Sequence, residues 1–317
     1  MTKEELRIEC TRFFKCKTIN DSYDLIDIYT EFLFNAVKNH HDEPVYKHSD
    51  ADAKMVLQMM MTKTLHLKSI VKGISYNAKD GSTLNKIIDP TIVASLVRNI
   101  YETVAMFNLI YRHTKTEDEK NIVYLLWVHA GLKYRQRFED VITTEENKEK
   151  YENEKAQLDK IVQEIESIEL YKNLDEKNQN KIKTKLKEKD YLLEFNGTEV
   201  NFLHWHELVD KMGIKEGLLG NIYTYFSLYS HPSNVSVFQF ADMFKKGDES
   251  FLELTNFNLK LAFFLFSIFI ADYINLFPNV LETFNSLDIR DQIVINFYNT
   301  VARNESFSIN DSAKAVE

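Results

Sequence analysis

Arg98 and Glu102 stand four residues apart inside an apolar helical pattern, and Ser227, Ser230, His231 and Asn234 cluster where another apolar pattern ends. Four-residue spacing places Arg98 and Glu102 on one helix face, where they pair or reach a common partner. A guanidinium binds phosphate, a carboxylate orients it, and an imidazole exchanges protons near neutral pH. Arg98, Glu102 and His231 therefore form a candidate catalytic set for phosphoryl chemistry. The same residues also read as structure: a buried ion pair that fixes helix register, and a helix end capped by neighbouring hydroxyls. On both readings polar groups occupy core-like positions, where an unpaired group costs about 1–3 kcal/mol.

Other polar groups extend this set. Tyr134 and Arg135, in Tyr134-Arg135-Gln136-Arg137, and Ser227, Ser230 and Asn234 are candidate substrate-binding residues, whereas Arg137 reads as solvated surface. Gly220, Thr224, Ser227 and His231 recur at three- and four-residue steps, a narrow strip that a neighbouring element is expected to approach closely. Pro232 biases His231 away from helical geometry, which sets the imidazole at a helix end. His204-Trp205-His206-Glu207 has its histidines two apart, pointing differently on a helix, and His40-His41-Asp42-Glu43 reads as a loop. No metal and no cofactor are expected. A Gly-rich phosphate loop, a Gly-x-Ser-x-Gly elbow, a His-Glu-x-x-His pair and a kinase signature are all missing.

The elements that must position these residues are helices. Only eight Gly and four Pro in 317 residues argue against a turn-rich β protein. Apolar periodicity predicts core helices over 51–74, 90–113, 120–140 and 217–231. Asp89-Pro90 marks the start of the second, whose apolar residues cover most of its circumference, so it is central. Residues 77–82 read as a loop. Further helices are predicted near the N-terminus, over 204–212, and over roughly 250–277 and 279–303. The fold class expected is all-α, a multi-helix bundle in one domain over 1–317. Residues 143–190 read as an inserted charged helical hairpin with one apolar stripe: Leu158, Ile161, Ile165, Ile168, Tyr171, Ile182 and Leu186. Residues 191–202, with Asn196-Gly197 between β-favouring runs, read as one small β-hairpin, and 304–317 as a frayed tail.

A formal net charge of −9 disfavours broad electrostatic binding of nucleic acid, while leaving room for a local basic groove. Cys10 and Cys16 lie in no paired motif and read as reduced thiols, and the first residues lack an apolar signal core, so the expected location is the cytoplasm. The longest apolar run, Leu259 to Phe277, contains Lys260 and Asp272 and reads as a buried helix with no membrane contact.

Met55 to Phe138, with Leu96-Val97-Arg98-Asn99-Ile100-Tyr101-Glu102 and Tyr134-Arg135-Gln136-Arg137-Phe138, resembles a family of uncharacterised helical bacterial proteins. Its members carry an Arg-x-x-x-Glu helix and a later Tyr-x-x-x-Ser-x-x-x-His ending, which Tyr223 to His231 echoes. That family is similar in helical layout to the higher-eukaryote-and-prokaryote nucleotide-binding (HEPN) superfamily. The resemblance implies a bacterial defence or stress protein acting on RNA or a nucleotide, including metal-independent RNase activity. The chain departs from the superfamily's RNase motif, in which His follows Arg by a few residues on one helix: no Arg here has a His at that spacing, and Arg112-His113 is too close. The competing expectation is a noncatalytic binding or scaffold protein whose polar network is structural. In either case 143–190 is a candidate surface for a protein partner or self-association.

Overall fold

The computed structural model describes residues 2–231, 233–303 and 309. Pro232 and the tail expected to fray, apart from Ile309, lie outside the described residues. Among those described, fourteen α-helices and two antiparallel strand pairs give an all-α, multi-helix protein. The helices are α1 (Lys3–Lys15), α2 (Ile19–His40), α3 (His48–Val71), α4 (Pro90–Asn108), α5 (Glu117–Arg135), α6 (Glu145–Ser167), α7 (Glu169–Lys172), α8 (Glu176–Glu188), α9 (Leu208–Lys211), α10 (Ile222–Ser230), α11 (Asn234–Lys246), α12 (Asp248–Leu276), α13 (Val280–Asn285) and α14 (Ile289–Ala302). The strands are β1 (Ile74–Asn77), β2 (Thr83–Ile87), β3 (Leu193–Asn196) and β4 (Glu199–Phe202). The described residues up to Asn108 and from Val209 onward form one compact unit, and Leu109–Leu208 form another.

In the first unit α4 is the central element, packed against α12, α10 and α3. Val93, Val97, Ile100, Tyr101, Val104 and Phe107 are all fully buried along it, which explains why its apolar pattern runs nearly all the way round. Phe263, Phe266 and Phe269 on α12 are likewise fully buried; a side chain of this kind stabilises by about 1.5–3 kcal/mol when taken out of water. One helix among the described residues, Glu249–Leu276, is long and apolar enough to cross a bilayer. Of its most apolar window 72% is buried, as in the core helix of a soluble protein.

The second unit is built on α5, against which α6, α7 and α8 pack. Ile161, Ile165, Tyr171, Ile182 and Leu186 are buried there, so the apolar stripe of the charged hairpin is covered inside its own unit. The β3–β4 hairpin has the expected Asn-Gly turn, with Asn196 paired to Glu199 and Gly197 at φ 63°. Asn178 Oδ1 accepts from Val200 N at 3.0 Å, tying the hairpin to α8.

Four details differ from the sequence reading. Residues 77–82 close a second hairpin, β1–β2, in which Asp80 accepts from Ser82 N at 3.0 Å and Gly81 adopts φ 89°. The Asp-Gly turn signal is there, but both strands are exposed and lack a buried alternation to announce them. Helix α10 begins at Ile222 rather than near 217, because Asn221 sits in the left-handed region at φ 62°. Residues 234–246, read as no element, form α11, which Ser233 caps by accepting from Ser236 N. Residues 279–303 divide into α13 and α14 at Ser286–Asp288.

Candidate functional site

Helix α4 starts where Asp89 accepts from the backbone N and the hydroxyl of Thr91 at 2.8 and 2.7 Å. Its apolar residues turn toward the core, and Arg98 and Glu102 emerge at one edge with side-chain exposures of 16% and 31%. Helix α10 is fixed beside α4 by buried Ile222 and Phe226 and by a polar clamp. In that clamp Tyr225 donates to Asn258 Oδ1 at 2.8 Å, while Asn258 Nδ2 donates to the Pro90 carbonyl at 3.3 Å. Tyr223, Ser227 and His231, each four residues from the next, then lie along one face of α10.

Arg98 is the hub. Its Nε donates to Glu102 Oε1 at 3.0 Å, its Nη2 to the Tyr223 hydroxyl at 2.9 Å, and its Nη1 to His231 Nε2 at 3.4 Å. The guanidinium carbon also lies 4.7 Å from the centre of the Tyr223 ring, a cation–π distance. Because arginine only donates, the His231 nitrogen facing it accepts in this contact. His231 ends α10 in extended geometry, its backbone N donating to Ser227 O at 3.3 Å, and its side chain is exposed.

A second cation borders the cluster. Lys63, on α3, donates to Thr103 Oγ1 and reaches the Asn99 carbonyl at 3.4 Å. Burial pushes its ammonium down to about 8, and the charge of Glu102 opposes that fall. Two cations thus share one carboxylate, and the local balance favours an incoming anion. Beneath them Tyr101 is fully buried, its ring centre 6.0 Å from that of Tyr223, and burial raises its phenol well above the usual range.

The structure thus brings Arg98, Glu102 and His231 within hydrogen-bonding reach. It engages the neighbouring hydroxyls otherwise: Ser227 donates to Tyr223 O at 2.7 Å and Ser230 to Phe226 O at 3.0 Å, each bonding back along its own helix. Asn234 is exposed in the first turn of α11. A Cβ built on Gly220 would meet nothing within 4 Å and Thr224 is exposed, so this end of the small-residue strip lies open, while His231 at its other end meets Arg98 of α4. Tyr134 and Arg135 belong to the other compact unit. There Arg135 Nε donates to Glu154 Oε2 at 3.0 Å, and exposed Tyr134 packs edge-on against Phe138. Sequence reasoning gave no role to Lys63, whose helix carries no mark of a site, or to Tyr223, which the four-residue ladder to His231 does mark.

Residues 78–250 match a family described as a family of unknown function (DUF5677), and the match spans more than half of the chain. The chain belongs to this family. The matched DUF5677 stretch contains Arg98, Glu102, Tyr223 and His231, while Lys63 precedes it. No curated protein and no solved structure matches the chain.

Proposed function

We propose that this protein is a HEPN-like bacterial defence or stress protein of the cytoplasm that cleaves RNA without a metal at Arg98, Glu102, Tyr223 and His231. The observation that supports it most is the fork of Arg98, whose three nitrogens meet a carboxylate, a phenol and an imidazole at an exposed edge. Arg98 holds the non-bridging oxygens of a phosphodiester and stabilises the charge that grows on them, while Glu102 fixes its orientation. When Arg98 Nη1 leaves His231 for the phosphate, the freed Nε2 takes the proton of the ribose 2′-hydroxyl, and the 2′-oxygen attacks phosphorus. The bond to the 5′-oxygen then breaks, and the imidazolium returns the proton to that leaving oxygen. The products are a 2′,3′-cyclic phosphate and a 5′-hydroxyl. Lys63 adds positive charge beside the same carboxylate.

A second reading is a noncatalytic binding or scaffold protein in which Arg98 merely ties α4 to α10. The hydroxyls of Ser227 and Ser230 favour it, since both are engaged by their own helix. Incubating the purified protein with total RNA in EDTA, and mapping the ends formed, separates the two. Cleavage with cyclic-phosphate ends that is lost in His231→Ala and Arg98→Ala, with unchanged circular dichroism, supports the RNase. Neither cleavage nor nucleotide binding, or variants that match the wild type, leaves the scaffold.

A further inference from the structure

A cavity of about 450 Å³ opens in the first unit where the start of α2, the end of α3, β2 and the start of α12 meet. Its volume falls within the range of sites that hold drug-sized ligands. Val71, Ile88 and Phe251 supply buried apolar surface to it, and Tyr23, Lys72 and Lys86 supply its polar groups. The carboxylates that α2 carries along this stretch are engaged by other cations: Asp21 and Asp24 lie 3.7 and 2.9 Å from Arg12 nitrogens, and Asp27 pairs with Lys68. Among the described residues Lys72 and Lys86 have no acidic partner, although the chain has a net charge of −9.

Gly73 explains how Lys86 reaches this place. The residue adopts φ 76°, and a Cβ there would come within 2.9 Å of both Lys86 Cε and the Ile87 carbonyl. The aliphatic stem of Lys86 therefore lies across the bare glycine, a position that any side chain at 73 would obstruct. Two unpaired ammonium groups over an apolar floor suit a ligand with one anionic end and an apolar body. A polyphosphate would leave the floor unmatched, and a neutral hydrocarbon would leave the lysines unmatched.

We propose that this cavity binds a small organic anion with an apolar body, its carboxylate or phosphate head held by Lys72 and Lys86. Isothermal titration of the full chain with octanoate, octyl phosphate, octanol and inorganic phosphate tests it. One octanoate or octyl phosphate is expected per chain, and the tighter of the two identifies the head group. Octanol and inorganic phosphate, each lacking half of the recognised chemistry, are expected to bind at least tenfold more weakly. Both lysines are exposed, and an exposed ion pair contributes at most about 1 kcal/mol, so Lys72→Gln and Lys86→Gln should each weaken the anion up to about fivefold and together up to about 25-fold. Gly73→Ala, which displaces Lys86 and crowds the Ile87 carbonyl, should also weaken the anion. Equal affinity for octanoate and octanol, or unchanged octanoate and octyl phosphate binding in the folded double glutamine variant, overturns the proposal.

Discussion

Replacing Arg303 by methionine should remove a large part of the stability of the first unit. Arg303 is fully buried just beyond α14, where Nη1 and Nη2 donate to the two oxygens of Asp272 at 2.6 and 2.9 Å. Its Nε donates to the Met212 carbonyl at 2.7 Å, and Asn108 Nδ2 donates to Asp272 Oδ2 at 2.8 Å. One buried ion pair thus joins the ends of α4 and α14 to the C-terminal end of α12. Removing one partner of a buried ion pair costs about 3–5 kcal/mol, because the other charge stays in the interior without its counterion. Typical domains have only about 5–15 kcal/mol in total, so the loss is about a fifth of the stability or more. Asp272→Leu combined with Arg303→Met removes both charges and should be milder than the sum of the single changes, with a coupling of about 3 kcal/mol.

Urea denaturation measures these quantities unit by unit. Both tryptophans, Trp127 and Trp205, lie in the second unit, so their fluorescence follows Leu109–Leu208 while tyrosine fluorescence and far-ultraviolet circular dichroism include the first. Arg303→Met is expected to lower the midpoint of the tyrosine and circular-dichroism transition. A loss below 1 kcal/mol, or single changes that simply add, would refute the reasoning that a bidentate buried pair holds these elements together.

The remaining predictions concern titration and reactivity. Burial, helped by the charge of Lys133, pushes His129 down to about 4 from its usual 6.5. The unfolded chain therefore binds more protons between these values, and the second unit should lose about 3 kcal/mol as pH falls from 6.5 to 4, the loss then levelling off; tryptophan-detected urea midpoints for His129→Gln should show a flatter slope. The thiols of Cys10 and Cys16 are buried and both pushed up to about 11, so a thiol reagent at pH 7.5 should label them only at the rate of unfolding, and rapid labelling of the native protein is the contrary result. Lys63 loses its charge as pH rises through about 8, so RNA binding should weaken across that range in the wild type and hold level, at lower affinity, in Lys63→Met.

Much of the fold is legible because burial and period coincide. The apolar circumference of 90–108 marks the central helix, and Asp89-Pro90 marks its start through the cap on Thr91. Where burial gives no pattern, legibility fails: β1 and β2 are exposed, and α11 leaves Val235, Val237 and Phe238 exposed, so these apolar residues mark no core. The start of α10 depends on a left-handed asparagine, a backbone feature that asparagine permits but does not announce. The site divides in the same way. Arg98–Glu102 is a local pair visible in its spacing, whereas Lys63 joins it only through the packing of α3 on α4. Arg135 is an instructive contrast, since its partner Glu154 lies on the next helix and nothing in Tyr134-Arg135-Gln136-Arg137 points there.

His231 acting as the base beside Arg98 is the central step of the proposed cleavage. Its most direct test is the initial rate of cleavage of a short oligoribonucleotide in EDTA, compared with the same strand carrying 2′-deoxyribose at the cleaved position. The wild type should cleave the ribose strand and leave the deoxy strand intact, and His231→Ala should be slower by about 10²–10⁴ with its fold unchanged. Equal rates for His231→Ala and the wild type, or cleavage of the deoxy strand, would contradict it.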